Sequence, residues 1–208
     1  MDLFNLLLFK LSGGKIGANS LDERLIYKAM AGGGLPSGYT ELPEIDFDGT
    51  FYYITGQHLT GNDNVTMTLS GTSSTGQNVF GCYEGGSADN NFSLYLYGAG
   101  SSSNSYFRYG DKLVRPNFGS GKRTITFGKD GTTGFNTNVS VTPTTFTSDS
   151  FIYIGMLPNS TSPKYTGKIV GRILVSNRIV FIPCQRESDS IIGYFDSNKK
   201  IFIEPTAA

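Results

Sequence analysis

The chain contains no tryptophan, one histidine and two cysteines among its 208 residues. Each scarcity removes a kind of chemistry. A site built from several imidazoles is excluded. A histidine-dependent triad has one candidate, His58, in a polar Gln-His-Leu-Thr-Gly stretch with no nucleophile or orienting partner beside it. His58 therefore reads as a solvated turn residue. Cys82 and Cys184 lie far apart in the sequence and allow at most one disulfide; two free thiols fit equally, and a secreted disulfide scaffold would be denser in cysteine. No Cys-x-x-Cys pair or zinc spacing occurs. Charged residues are 16% of the chain, and 17 Lys and Arg balance 17 Asp and Glu. No basic excess points to nucleic acid, and no polybasic run points to an anionic membrane.

What the chain does have is glycine, 27 residues of it, with abundant serine, threonine and asparagine, and an apolar share of 38% rich in Phe, Tyr and Ile. Residues of this kind suit many short strands joined by many turns, rather than a helical enzyme rich in Ala, Leu, Glu and Lys.

The first 34 residues read differently from the rest. Met1 to Leu11 is MDLFNLLLFKL, with Asp2 where a signal peptide has basic residues and Lys10 inside the apolar run, so it reads as a retained short helix. It is too short to span a bilayer, and no membrane insertion is expected. Ser20-Leu21-Asp22-Glu23 forms a capping box before a second helical stretch carrying Leu21, Leu25 and Ile26, and Gly32-Gly33-Gly34 ends it. Helices this short are not stable alone in water. The apolar residues Leu3, Phe4, Leu7, Leu8, Leu11, Leu21, Leu25 and Ile26 are thus expected to pack on partners, making residues 1–34 an anchoring and oligomerising segment with a flexible glycine joint.

Residues 35–208 read as strands. Alternation and turn residues predict strands at 51–55, 64–70, 77–83, 91–97, 105–109, 123–127, 151–156, 167–175, 178–182, 190–195 and 200–203. In 91–97, Phe92, Leu94 and Leu96 fall on one face, with Ser93, Tyr95 and Tyr97 on the other. Lys129-Asp130-Gly131 marks a hairpin. With no crossover helices in view, the expected class is all-β: a two-sheet antiparallel sandwich preceded by the short helical anchor.

Two segments carry a family resemblance. One is Leu35-Pro36-Ser37-Gly38-Tyr39-Thr40-Glu41-Leu42, followed by Glu44-Ile45-Asp46 and Gly49-Thr50-Phe51-Tyr52-Tyr53-Ile54-Thr55-Gly56. The other runs from Gly167-Lys168-Ile169 through Ile179-Val180-Phe181-Ile182-Pro183-Cys184 to Ile192-Gly193-Tyr194-Phe195-Asp196 and Lys200-Ile201-Phe202. Together they resemble the concanavalin A-like (laminin G-like) jelly-roll domains of tailed-phage and prophage structural proteins. Phe51 and Tyr52 depart from the Gln-Tyr common there, and Phe195 intervenes before Asp196. The resemblance implies a jelly roll in a virion structural protein (head fibre, decoration or tail appendage) that is homotrimeric, sits among other virion proteins and touches the host surface. Its motifs read as structural: a turn aiming Tyr39 and Leu42 into a core, Pro183 ending a strand at an edge, Gly193 allowing close backbone approach, and the domain's first and last strands lying near one another.

Enzymatic chemistry finds little support. Glu41, Glu44, Asp46 and Asp48 form the nearest carboxylate cluster, the last three on one strand face, where a charged strand facing solvent is the simpler account. No catalytic residue and no cofactor are expected; calcium is the one ion that the oxygen-rich loops Asn62-Asp63-Asn64 and Ser87 to Asn91 suit. A glycan site would use flat aromatic faces, and Tyr95, Tyr97, Tyr106 and Tyr109 are the candidates, with core packing as the competing role. A lectin-like carbohydrate-binding module is the alternative to the virion reading, and a glycan hydrolase stands behind both.

Overall fold

In the computed structural model the described residues are 34–70, 76–83, 90–96, 105–118, 121–157 and 164–207. They contain sixteen strands: β1 (Tyr39–Glu41), β2 (Glu44–Asp48), β3 (Phe51–Ile54), β4 (Asn64–Ser70), β5 (Gln77–Cys82), β6 (Phe92–Leu96), β7 (Tyr106–Tyr109), β8 (Lys112–Val114), β9 (Arg123–Gly128), β10 (Gly131–Thr133), β11 (Tyr153–Ile154), β12 (Thr166–Val175), β13 (Ile179–Arg186), β14 (Ile192–Asp196), β15 (Ile201–Ile203) and β16 (Thr206–Ala207). The larger sheet has the order β10-β9-β4-β12-β13-β14-β15, with β1 joined to β13 and β2 to β12; the smaller runs β16-β3-β11-β5-β6-β7-β8. Every ladder is antiparallel. The anchor residues Leu3, Phe4, Leu7, Leu8, Leu11, Leu21, Leu25 and Ile26 lie outside the described residues.

The sandwich follows from period-two alternation. On β4, Val65, Met67 and Leu69 are buried, while Thr66 and Thr68 point away and bond the hydroxyls of Thr126 and Thr124 on β9 at 2.8 and 2.7 Å. The two buried faces meet through aromatic rings. Phe127 of the larger sheet reaches Phe107, Phe92 and Phe80 of the smaller at centroid distances of 5.2, 5.8 and 6.2 Å. At the other end Tyr53 of β3 packs edge-on against Tyr194 of β14 at 5.0 Å. A second, smaller apolar cluster lies on the outer face of the larger sheet, where Ile182, Cys184 and Phe195 are covered by Leu35, Tyr39, Val180 and Phe202.

The two segments behind the family resemblance lock into each other. β12 and β13 pair directly only beside their connecting turn, Ile173–Val175 against Ile179–Phe181. Beyond that they part, and the opening segment enters the gap: β1 pairs with Cys184–Arg186 of β13, then the chain reverses at Leu42-Pro43 and β2 pairs with Thr166–Val170 of β12. The tip is tied by Leu42 N–H to Pro183 O at 2.8 Å and by Gly171 N–H to Pro43 O at 2.7 Å. Gly171 sits in a bulge of β12 with φ of 68°, a left-handed conformation that glycine adopts without penalty. Arg172 beside it grips Glu41 through two bonds of 2.9 and 2.8 Å.

This wedge corrects one expectation. Pro183 does not end a strand at an edge. It lies inside β13, paired with Tyr194 of β14 on one side. A strand residue's N–H and C=O point the same way, and the Pro183 carbonyl points at the wedge tip. The missing N–H therefore faces a break in the ladder and costs no bond. Tyr39 and Leu42 are half-buried rather than in the core between the sheets; Tyr39 covers the outer cluster, with ring centroids 5.5 Å from Phe195 and 5.4 Å from Phe202. The first and last strands lie in different sheets, β1 on β13 in the larger and β16 on β3 in the smaller, through Thr206 and Tyr52. Gly193 allows the close approach expected of it, since a Cβ there would lie 2.3 Å from Ile203 O.

Candidate functional site

The chemistry-bearing residues singled out in the sequence mostly hold the fold together. His58 donates one hydrogen bond from Nδ1 to Ser148 O at 2.9 Å, and its ring packs on Phe151 at 4.9 Å. The carboxylate cluster is engaged by cations: Glu41 by Arg172, Glu44 by Lys168, and Asp46 by the same lysine at 3.8 Å. Asp48 bonds the N–H and hydroxyl of Thr50, which hold its carboxyl below the usual range. Asp196, fully buried, accepts from Gln57 Nε2 at 2.7 Å and from the backbone of Asn198 and Lys199, fastening the β14–β15 turn.

In the oxygen-rich loop at 62–64 the side chains bond within the protein. Asp63 accepts from Thr60 N–H at 2.8 Å and from Arg178 Nε and a terminal nitrogen at 2.8 and 2.5 Å, and Asn64 bonds Asp130 at 2.6 Å. Most of the second loop, Ser87 to Asp89 included, lies outside the described residues. Among the described residues no group of three or more His, Cys, Asp or Glu is placed to hold a metal ion. Cys82 is buried in the core between the sheets and Cys184 in the outer cluster. Burial pushes the Cys184 thiol up to about 11.

The four candidate tyrosines separate. Tyr95 and Tyr106 are cross-strand neighbours on the outer face of the smaller sheet, half-buried and stacked, with centroids 4.5 Å apart and planes within 8°. Tyr109 is corrected: it is fully buried in the core, ringed by Phe92, Phe107 and Phe146, and its hydroxyl donates to Gly61 O. The reason is parity. Residues 106 and 108 share one face of β7 while 107 and 109 share the other, so Tyr106 and Tyr109 cannot line one surface. Tyr97 lies outside the described residues.

The structure adds residues that the tyrosine count did not find. Arg108 lies on the outer face with its guanidinium carbon 5.6 Å from the Tyr106 ring centroid, within cation–π range. One ladder row across that face reads Tyr153, Gly81, Ser93, Arg108, with no large side chain between the first and the last. A second aromatic pair, Tyr52 and Tyr153, stacks at 6.0 Å on the far side of the two small residues. Burial pushes the Tyr106 phenol up, and Arg108 opposes that shift while Tyr95 and Tyr83 add to it. Tyr95 lies so close over Gly76 that a Cβ there would meet its hydroxyl at 1.9 Å. Alternation along Ser105–Tyr109 would have paired Arg108 with Tyr106 from the sequence alone. Rings flanked by a cation offer stacking and ion pairing, the chemistry of a binding surface. No protein-family model matches this chain, and no curated protein matches it.

Proposed function

We propose that the chain is a non-enzymatic structural protein of a bacteriophage virion, a head fibre, decoration or tail appendage. Residues 1–34 anchor it to other virion proteins and join it to sister copies in a homotrimer. Residues 35–208 form an outward concanavalin A-like jelly roll that touches the host surface. The observation that carries this reading is the wedge: the opening Leu-Pro-x-Gly-Tyr segment and the closing Phe-Ile-Pro and Gly-Tyr-Phe-Asp segments, which lie at opposite ends of the domain sequence, are built into one another through β1, β2, β12 and β13. Motifs that form a single structural joint are motifs of fold rather than of catalysis. The opening carboxylates, held by Arg172 and Lys168, agree with a scaffold role.

The anchor is tested by light-scattering mass of the full chain against a chain beginning at Leu35. A trimer that becomes a monomer supports the reading; equal states overturn it. Immunogold labelling of intact particles tests the location, with label on the particle surface expected and label confined to the cell lysate refuting it. A second reading, a carbohydrate-binding module, is favoured by one specific observation: the stacked Tyr95–Tyr106 pair with Arg108 over it. It joins the first reading where the host surface is a glycan.

A further inference from the structure

We propose that the outer face of the smaller sheet binds an acidic saccharide, with the sugar ring packed on the Tyr95–Tyr106 pair and its carboxylate held by Arg108. This rests on the carbohydrate reading above and narrows it to a charge class.

The argument begins with the arginines. Arg172, Arg178 and Arg186 each hold a carboxylate, the last of them two, Asp189 and Glu204, at 2.5 and 2.7 Å. Arg108 has no carboxylate partner among the described residues and lies instead against a tyrosine ring. A guanidinium carries five donors in a planar fork that matches a carboxylate with two parallel bonds, and a phenol oxygen cannot fill it. The chain as a whole is neutral, so this cation is not one of a general excess that would attract any polyanion.

The rings set the other half of the ligand. Each ring of the pair covers one face of the other, so a pyranose would lay its C–H groups against the ring surface the stack leaves uncovered. The guanidinium lies 5.6 Å from the Tyr106 centroid, so one saccharide unit that bears its own carboxylate reaches both. The pair stands on strands in the interior of the sheet, on a rigid backbone, so little ordering is required on binding.

The test uses the full chain and three acidic probes of different stereochemistry: oligogalacturonate, oligoguluronate and sialyllactose, each beside its methyl ester, which keeps the ring and removes the charge. Binding is read by titration calorimetry. The expected result is binding of at least one acid, at least tenfold tighter than its ester and weakened by added salt. Arg108→Gln should lose at least tenfold in affinity for the acid. Arg108→Lys should recover part of that loss, because a point charge attracts the carboxylate without the fork. Tyr106→Ala should weaken acid and ester alike. Lys122→Gln, an exposed charge removed elsewhere, should change nothing. Thermal unfolding of each variant checks that the fold is retained. If acid and ester bind equally, or Arg108→Gln leaves acid binding intact, the charge assignment is overturned while the carbohydrate reading stands. If no acid and no ester binds, both fall.

Discussion

Arg178 offers the sharpest test of what holds the two sheets in register. The chain crosses from β3 to β4 through residues 55–63, and Arg178, in the turn between β12 and β13, holds that crossing by two bonds to Asp63 and one of 2.7 Å to His58 O. Asp63 has a side chain 3% exposed, whereas Arg178 is 39% exposed. Replacing Arg178 with Met keeps most of the packing and leaves a buried carboxylate with only the Thr60 N–H and hydroxyl, at 2.8 and 3.0 Å. Breaking a fully buried pair costs about 3–5 kcal/mol, and hydrogen bonds to charged groups about 1.5–3 kcal/mol each. Because the arginine is partly solvated and Thr60 remains, the expected loss is about 2–3 kcal/mol. With a urea slope of about 2–3 kcal/mol/M for a domain of this size, the midpoint falls by about 1 M. The pH dependence is the stronger check. Burial pushes the Asp63 carboxyl up, but Arg178 and Thr60 outweigh it and hold the group below the usual range. A lowered folded pKa means a contribution that is complete above the unfolded value of about 3.9 and fades as pH falls through the folded one. Without Arg178, burial dominates and the folded pKa rises. The difference between wild type and variant should therefore be largest at neutral pH and shrink towards about pH 3. A cost below about 0.5 kcal/mol at pH 7, the level of an exposed pair, would refute the reasoning, as would a cost that is the same at both pH values.

Three further outcomes are expected. Cys82 and Cys184, buried and with the Cys184 thiol pushed up to about 11, should resist alkylation at pH 8 in the native protein and react fully in guanidinium, as read by mass spectrometry; rapid native labelling would contradict the packing. Gly81→Ala should cost about 2 kcal/mol or more in thermal and urea unfolding, because φ is 147° and the new Cβ would lie 2.2 Å from Phe92 O; a neutral substitution would mean the backbone there is free to move. Ser93 Oγ is buried with no hydrogen-bond partner among the described residues, so Ser93→Ala should stabilise the domain by about 1 kcal/mol, and a loss of stability would show that the hydroxyl has a partner.

The sequence determined the longer strands, while β1, β8 and β16 lie outside the predicted set. Alternation in Asn64–Ser70, the hairpin at Lys129-Asp130-Gly131 and the facing of Phe92, Leu94 and Leu96 were all legible, because inward and outward residues repeat every two positions whatever the partner strand is. Parity also held the answer for Tyr109, which a count of aromatics in the neighbourhood had placed with Tyr106. Partnership was decided by the tertiary structure alone. No local pattern says that β12 and β13 part to admit Leu42-Pro43, so Pro183 read as the end of a strand when it lies at an interior break. The same holds for charge: alternation puts Glu44 and Asp46 on a charged strand face, but only the pairing with β12 places Arg172 opposite Glu41 and Lys168 opposite Glu44 and Asp46. Period-two geometry is a property of each strand's own backbone, but who lies beside whom depends on contacts between residues more than a hundred positions apart, and those exist only once the sheets have formed.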